Sequence, residues 1–224
     1  RAGTVAKLYL RYGAMNSGKS TALLQAAHNY EERGQRVVLL KPRIDTKGQG
    51  TIVSRLGVSR PVDVILEPDD NLVQVVAAHI DRLQAETAEH LSCVLVDEAQ
   101  FLTPAQVEDL FVVAVQVGVP VLAYGIRTDF QTVAFPGSRR LLEIAHSVEE
   151  LKTICRCGKK AIFNARTADG EFIFDGDQVA IDGVDVGYES LCGQCYLQES
   201  GGRLASAHQR PVDPQLPGPD PDFS

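Results

Sequence analysis

A phosphate-binding loop near the start of the chain is the feature that most constrains the fold. The pattern G-x-x-x-x-G-K-[ST] is complete, since Gly13 is followed by four residues and then by Gly18, Lys19 and Ser20. The glycines allow a tight turn whose backbone N–H groups point into one anion-sized cup. Lys19 is expected to reach the β- and γ-phosphates of a nucleotide, and the Ser20 hydroxyl to bind Mg²⁺. The predicted phosphate-binding residues are Gly13, Ala14, Met15, Asn16, Ser17, Gly18, Lys19 and Ser20.

The segments around this loop predict a β-α-β unit. Residues 6–12 have the composition of a strand, residues 21–33 show helical spacing of apolar side chains, and residues 36–41 form a short apolar run before Pro42. Gly34 is expected to end the helix. Such a unit implies a parallel sheet with helices on its faces. A chance glycine-rich turn is the alternative, but a second nucleotide-binding pattern downstream favours the functional interpretation.

That second pattern is an apolar run that leads into two acidic residues. Residues 91–96 are typical of a buried strand, and Asp97 and Glu98 follow at once. In P-loop proteins an aspartate at this place helps to hold Mg²⁺, and the next glutamate can accept a proton from an incoming hydroxyl or water. The alternative is a buried strand that ends in two solvated acids. The P-loop upstream favours the catalytic interpretation.

Other segments are predicted from spacing and composition. Thr103 and Pro104 are typical of a helix start, as N-cap and first-turn residue. Phe130 and Phe135 lie in a loop after a predicted strand, where the ligand crevice of a parallel sheet forms, so they are candidates to flank a planar ligand or are ordinary packing residues. The remaining predictions are a mobile loop over 43–60, a strand over 62–66, a helix over 71–83, a strand over 119–126, a helix over 141–148 and a last strand over 151–154.

Four cysteines form two close pairs in the second part of the chain. Cys155 and Cys157 are separated from Cys192 and Cys195 by 34 residues. This pattern predicts a tetrahedral zinc site with a structural role, because four thiolates leave no open position for catalysis. Two disulfides or unrelated core thiols are the alternatives. The fifth cysteine, Cys93, lies within a predicted strand and is interpreted as a core residue.

Length and charge limit the function classes. The 224 residues suit one domain with a smaller appendage, and the net charge of −7 argues against a nucleic-acid coat or a polybasic membrane anchor. No apolar run approaches the ~20 residues of a membrane helix, and the start lacks the apolar core of a secretory signal. A cytoplasmic protein with reduced thiols is therefore expected.

With these motifs in place, the chain resembles the thymidine kinases of the cellular, zinc-containing type. The resemblance covers residues 7–196 and depends on the P-loop, on the segment Asp97-Glu98-Ala99-Gln100-Phe101, on residues 128–135, and on the cysteine-bracketed segment with Tyr188. It implies a RecA-like α/β domain over 1–150 and a zinc-binding "lasso" domain over 151–198. The tail over 199–224 is predicted to be disordered from its composition, which is rich in Gly, Pro and Asp and shows no periodicity.

The resemblance also implies residue roles. Glu98 would be the general base toward the 5′-hydroxyl of deoxythymidine, and Gln100 joins Asp97 among the ATP-binding residues. Arg55 would lie near the phosphates, and the lasso backbone around Val179, Ile181 and Gly183 would bind base and sugar. The remaining residues expected around the thymine are Met15, Phe101, Ile126, Phe130, Phe135, Asn164 and Tyr188, of which Asn164 replaces a threonine of the family pattern.

The resemblance further implies ATP with Mg²⁺, a structural Zn²⁺, a homotetramer and inhibition by thymidine triphosphate.

Three other functions are alternatives to this one. A nucleic-acid-dependent ATPase lacks a second motor-sized domain here, a GTP switch protein lacks its N-K-x-D segment, and a binding module with a vestigial P-loop is disfavoured by the intact Lys19, Ser20, Asp97 and Glu98.

Overall fold

The computed structural model describes residues 5–44, 50–176 and 185–204. Its thirteen strands are β1 Leu8–Tyr12, β2 Arg36–Pro42, β3 Thr51–Val53, β4 Ser59–Pro61, β5 Val64–Leu66, β6 Leu91–Val96, β7 Val121–Gly125, β8 Ser147–Glu150, β9 Thr153–Ile154, β10 Lys160–Ala161, β11 Phe163–Ala168, β12 Glu171–Ile173 and β13 Val186–Leu191. Its α-helices are α1 Lys19–Glu31, α2 Leu72–Thr87, α3 Pro104–Val112, α4 Pro136–Ile144 and α5 Gly193–Glu199.

Six parallel strands form the central sheet in the order β5-β2-β6-β7-β1-β8. Leu10 of β1 pairs with Ala123 of β7, and Val38 of β2 pairs with Val94 of β6. The predicted α/β class with a parallel sheet is confirmed. Because parallel strands end at the same edge, the loops after β1, β6 and β7 are brought together at the carboxyl edge of the sheet, where ligands bind in such folds.

Alternating side chains divide the strands between two cores. Val38 and Leu40 pack on the face that α2, α3 and α4 cover, whereas Leu39 and its neighbours pack against Leu23 of α1 and Ile52 of β3. Both faces of the sheet are therefore buried, as continuous apolar runs in parallel strands predict.

The four cysteines of the predicted zinc site lie in a smaller second unit. It contains the ribbon β9–β10, an antiparallel sheet in the order β12-β11-β13, and α5, around a core that includes Ala165 and Tyr196. The Tyr196 hydroxyl donates to the Phe130 carbonyl at 2.6 Å, and Gln131 Nε2 donates to the Phe174 carbonyl at 3.0 Å. These bonds join the second unit to the loop that follows β7.

The structure corrects two predicted segments of the first domain. The segment 43–60 is not simply a loop, since its described part contains the hairpin β3–β4, in which Ile52 is buried and Gly57 closes the turn at φ +82°. The helix predicted over 141–148 begins at Pro136 instead and ends at Ile144. Residues of its predicted end form β8, because they pair with β1 at the sheet edge.

Two further predictions need correction near the second unit. The last strand of the main sheet is β8, and within the predicted strand 151–154 only β9 is a strand, paired with β10. The tail predicted from residue 199 begins too early, since Glu199 belongs to α5 and Ser200 is buried. Residues 205–224 lie outside the described part.

Within the described ranges, no helix combines the length and the apolar character needed to cross a membrane.

Candidate active site

The P-loop lies between β1 and α1 and depends on two glycines for different reasons. The Gly13 N–H donates to the Gly125 carbonyl at 3.2 Å, and a Cβ at Gly13 would lie 2.4 Å from Ser17 Oγ. Gly18 adopts φ +78°, which favours glycine. A side chain is therefore excluded at Gly13 by space and disfavoured at Gly18 by backbone conformation.

Lys19 lies against the loop and faces the acidic end of β6. Its Nζ donates to the Ala14 carbonyl at 2.9 Å and to Ser17 Oγ at 3.4 Å. Burial lowers the Lys19 pKa, the nearby carboxylates of Glu98 and Asp97 raise it, and the Arg55 guanidinium lowers it further. Both carboxylates and the Arg55 guanidinium therefore lie near enough for their charges to act on the Lys19 ammonium group.

Asp97 directly follows β6 as a buried carboxyl group beside Glu98. Burial, followed by the charge of Glu98, raises the Asp97 pKa to about 6, while Lys41 and Lys19 act in the opposite direction. A buried carboxylate beside a half-buried one forms an unfavourable arrangement that a divalent cation would relieve. The donor set of Asp97 and the Ser20 hydroxyl consists of oxygen atoms, which Mg²⁺ prefers.

Glu98 is held by its neighbour Gln100. Glu98 adopts φ +50°, and its carboxylate accepts a hydrogen bond from Gln100 Nε2. Gln100 Oε1 accepts the Ile126 N–H at 3.3 Å, and Gln100 is 2% exposed. Gln100 therefore orients the predicted base from a buried position between two loops, a role that sequence reasoning missed. Phosphate binding by Gln100 stays a prediction.

The aromatic residues predicted around a planar ligand lie close together. The Phe101 and Phe135 rings meet edge to face with centroids 5.4 Å apart. Phe130, Phe135 and Ile126 are buried at the same edge of the sheet. The structure thus brings Phe135 of the β7–α4 loop together with Phe101, which follows Glu98 by three residues.

Arg166 is a buried residue of this region that the sequence analysis missed. Its guanidinium carbon lies 3.7 Å from the Phe130 ring centroid and 5.6 Å from that of Tyr188. Arg166 and Asn164 both lie on β11 two residues apart, and both are buried. Polar residues with a period of two in a strand beside apolar neighbours were the signal available in the sequence.

The structure places the other predicted residues as follows. Asn164 Oδ1 accepts the Met15 N–H at 2.6 Å, so Asn164 lies at the P-loop. Arg55 lies exposed in the turn of the β3–β4 hairpin. The remaining predicted ligands Val179, Ile181 and Gly183 lie outside the described residues.

The four cysteines converge as their pairing pattern predicts. All four Sγ atoms lie within 4.8 Å of one another, and no cysteine is oxidised to a disulfide in the described part. Although burial acts against it, hydrogen bonds from the Cys157 and Cys192 backbone lower the Cys155 pKa to about 6. Burial and the neighbouring sulfur atoms raise the Cys195 pKa to about 12. Four thiolates this close need a cation, so the cluster fits a zinc ion.

Comparisons with known proteins identify the family of this chain. The family model described as Thymidine kinase matches residues 6–196. The chain is 46% identical over 206 residues to a protein named Thymidine kinase from Ruegeria pomeroyi, a match that covers 91% of this chain and 100% of that protein. It is 46% identical over 201 residues to one from Legionella pneumophila (strain Paris), covering 89% and 93%. It is 47% identical over 191 residues to one from Rhodopirellula baltica, covering 84% and 86%. The resemblance inferred from the motifs is confirmed, and the chain belongs to the thymidine kinase family.

Proposed function

We propose that this chain transfers the γ-phosphoryl group of ATP to the 5′-hydroxyl of deoxythymidine, giving thymidine monophosphate for DNA synthesis. The observation that carries the proposal is the position of Lys19 in the P-loop, bonded to the Ala14 carbonyl and close to the carboxylates of Asp97 and Glu98 that follow β6. A cation for phosphate and a carboxylate base are the two groups that this transfer needs at one place. The family to which the chain belongs supplies the substrate class.

Lys19 and the P-loop amides bind the phosphates in this proposal. Burial makes the Lys19 charge more effective, because electrostatic attraction grows as water is excluded. The contacts of Lys19 with Ala14 and Ser17 hold its ammonium group over the loop. Such preorganised positive charge stabilises the transferred group without reorganisation during the reaction.

Glu98 is the proposed general base. The Gln100 amide fixes its carboxylate, which lies at the same edge of the sheet as Lys19. A carboxylate within hydrogen-bond reach of the 5′-hydroxyl would accept its proton as the oxygen attacks the γ-phosphorus. Magnesium, held by Ser20 and Asp97, would supply charge neutralisation of the nucleotide phosphates when bound.

The thymine is proposed to bind between Phe101, Phe130, Phe135 and Tyr188, with Met15 and Ile126 nearby. The edge-to-face Phe101–Phe135 pair and the buried Phe130 support an apolar, planar site. Asn164 and the lasso backbone complete the predicted set. Buried polar groups of the protein that face the edge of the base would reject other bases, because a wrong base leaves these donors or acceptors unpaired.

The cysteine cluster is proposed to bind one structural zinc ion. The ligand set is Cys155, Cys157, Cys192 and Cys195, whose four sulfur atoms lie within 4.8 Å of one another. Four further properties stay predictions based on the resemblance and the acidic charge. They are a homotetramer, inhibition by thymidine triphosphate, a cytoplasmic location and the absence of a nucleic-acid partner.

A phosphotransfer assay tests the proposal. Purified protein is given ATP, Mg²⁺ and one nucleoside at a time: thymidine, deoxyuridine, deoxycytidine or a purine deoxynucleoside. We expect transfer to thymidine, with a loss of about 10²- to 10⁴-fold in Glu98→Gln and unchanged ATP binding. Glu86→Gln, a matched change at an exposed residue of α2, should keep full activity. ATP hydrolysis stimulated by DNA or RNA, without nucleoside phosphorylation, would favour the nucleic-acid-dependent ATPase instead.

A further inference from the structure

The backbone of one P-loop residue is held by side chains from the second unit. The Met15 N–H donates to Asn164 Oδ1 at 2.6 Å, and the Ser190 hydroxyl donates to the Met15 carbonyl. Asn164 on β11 and Ser190 on β13 are directly paired in the antiparallel sheet. Two adjacent strands thus bind both polar backbone groups of a single residue of the phosphate-binding loop.

Asn164 also binds the loop after β7. Its Nδ2 donates to the Thr128 carbonyl at 3.1 Å, two residues before Phe130. The side chain is 3% exposed, and both ends of its amide are bonded to main-chain atoms of the first domain. A buried amide with both ends satisfied has a defined position, because rotation would leave a donor and an acceptor unpaired.

The bonded position in the P-loop is one where conformation matters. Met15 precedes Asn16, which adopts φ +66°, and Gly18 follows at φ +78°. Backbone N–H groups bind phosphate only when they point into one concavity, so the conformation of this loop decides how well it binds phosphate. The N–H of Met15 itself already has a protein acceptor in Asn164.

We propose that Asn164 and Ser190 form a clamp on Met15 that sets the conformation of the P-loop for ATP. Asn164 is then a positioning residue for the phosphate loop, in addition to its predicted place near the base. The clamp joins the P-loop to the sheet that carries Tyr188. The proposal rests on the proposed phosphotransfer only for its biological meaning, since it concerns ATP binding itself.

The test measures binding at each site alone. Titration calorimetry gives the Kd of a non-hydrolysable ATP analogue with Mg²⁺ and no nucleoside, and separately the Kd of thymidine with no nucleotide. Asn164→Leu and Ser190→Ala remove the two bonds to Met15, and Ser190→Thr keeps the hydroxyl as the matched control. We expect the Kd of the ATP analogue to rise about three- to tenfold in Asn164→Leu and in Ser190→Ala. In Ser190→Thr it should change by less than about twofold.

A double-variant cycle makes the test specific for a clamp. The combined variant should weaken binding of the ATP analogue by less than the product of the two single effects, because both side chains act on one residue. Equal unfolding temperatures of Ser190→Ala and Ser190→Thr would separate a loop effect from a general loss of stability. An unchanged analogue Kd in Ser190→Ala would overturn the proposal, as would an Asn164→Leu variant in which only thymidine binding is weakened.

Failure of the clamp proposal and failure of the proposed function give different experimental results. A protein that binds the ATP analogue but phosphorylates no nucleoside would contradict the thymidine kinase activity. The clamp would still be tested in that protein by the analogue Kd alone.

Discussion

The guanidinium carbon of Arg166 lies 3.7 Å from the centre of the Phe130 ring, and the two residues come from different units of the chain. Phe130 belongs to the loop after β7, and Tyr188, whose ring is 5.6 Å from the same guanidinium carbon, pairs with Arg166 across β11 and β13. One buried cation therefore contacts two of the aromatic residues predicted to surround the thymine.

Arg166 is expected to control nucleoside affinity more than turnover. The Arg166 guanidinium holds the Phe130 and Tyr188 rings in position by cation–π contacts, so Arg166→Met should raise the KM for thymidine about three- to tenfold with a smaller change in kcat. Arg166→Lys should recover part of this loss, because it keeps the charge but not the planar group. Steady-state kinetics with varied thymidine, with the exposed Arg82→Lys as control, checks the prediction. A fall in kcat as large as the rise in the KM for thymidine, or an equal rise in the KM for ATP, would contradict it.

Gln100 is expected to support the catalytic step through Glu98. Gln100→Leu removes the amide that donates to the Glu98 carboxylate and the oxygen that accepts from Ile126. Hydrogen bonds to charged groups contribute about 1.5–3 kcal/mol, so kcat should fall about 10- to 100-fold while the Kd of ATP stays within about twofold. Gln84→Leu on the exposed side of α2 is the matched control. A change in ATP affinity alone would instead support the predicted role of Gln100 in phosphate binding.

Asp97 is expected to make the metal-free protein less stable as pH rises. Folding raises its pKa from 3.8 to about 6. The folded state then binds the proton more tightly than the unfolded state, so stability is lost as pH rises from about 4 and the loss is complete above about pH 6. Asp97→Asn should therefore increase the free energy of unfolding by about 2–3 kcal/mol at pH 8, and by about 1 kcal/mol less at pH 5.

Urea denaturation in a chelator, without nucleotide, measures this difference. The exposed Asp69→Asn should show no such gain. An Asp97→Asn gain that does not depend on pH, or a loss at pH 8, would show that the carboxylate is not isolated from water in the way its burial indicates.

The cysteine cluster is expected to bind one zinc ion per chain and to stabilise the second unit. Cys157→Ser and Cys192→Ser should each lower bound zinc to well below one equivalent and reduce the unfolding temperature, because a structural metal contributes its binding energy to folding. Cys93→Ser removes a buried thiol outside the cluster and should keep full zinc. Elemental analysis of the pure protein provides the measurement, and a protein free of zinc after purification without chelators would contradict the site.

Several features of this protein were predictable because their causes are local. The order of strand, Gly13 turn and helix specifies the P-loop and the parallel sheet, and Thr103 forms the predicted N-cap of α3, with Gln106 completing a capping box. The close spacing within each cysteine pair made a cluster predictable, since residues so near in sequence converge on one centre easily. Family-specific motifs then predicted the membership that the comparisons confirm.

Tertiary structure alone decided the features that depend on distant partners. Residues 147–150 form a strand because they pair with β1, which would otherwise be an edge strand of the sheet. The segment around Arg55 forms a hairpin because Ile52 packs against the α1 side of the sheet. Asn164 meets Met15 across 149 residues of sequence. Local pattern could not predict these contacts, because the free energy that selects them comes from burial and hydrogen bonding between segments that only the folded chain brings together.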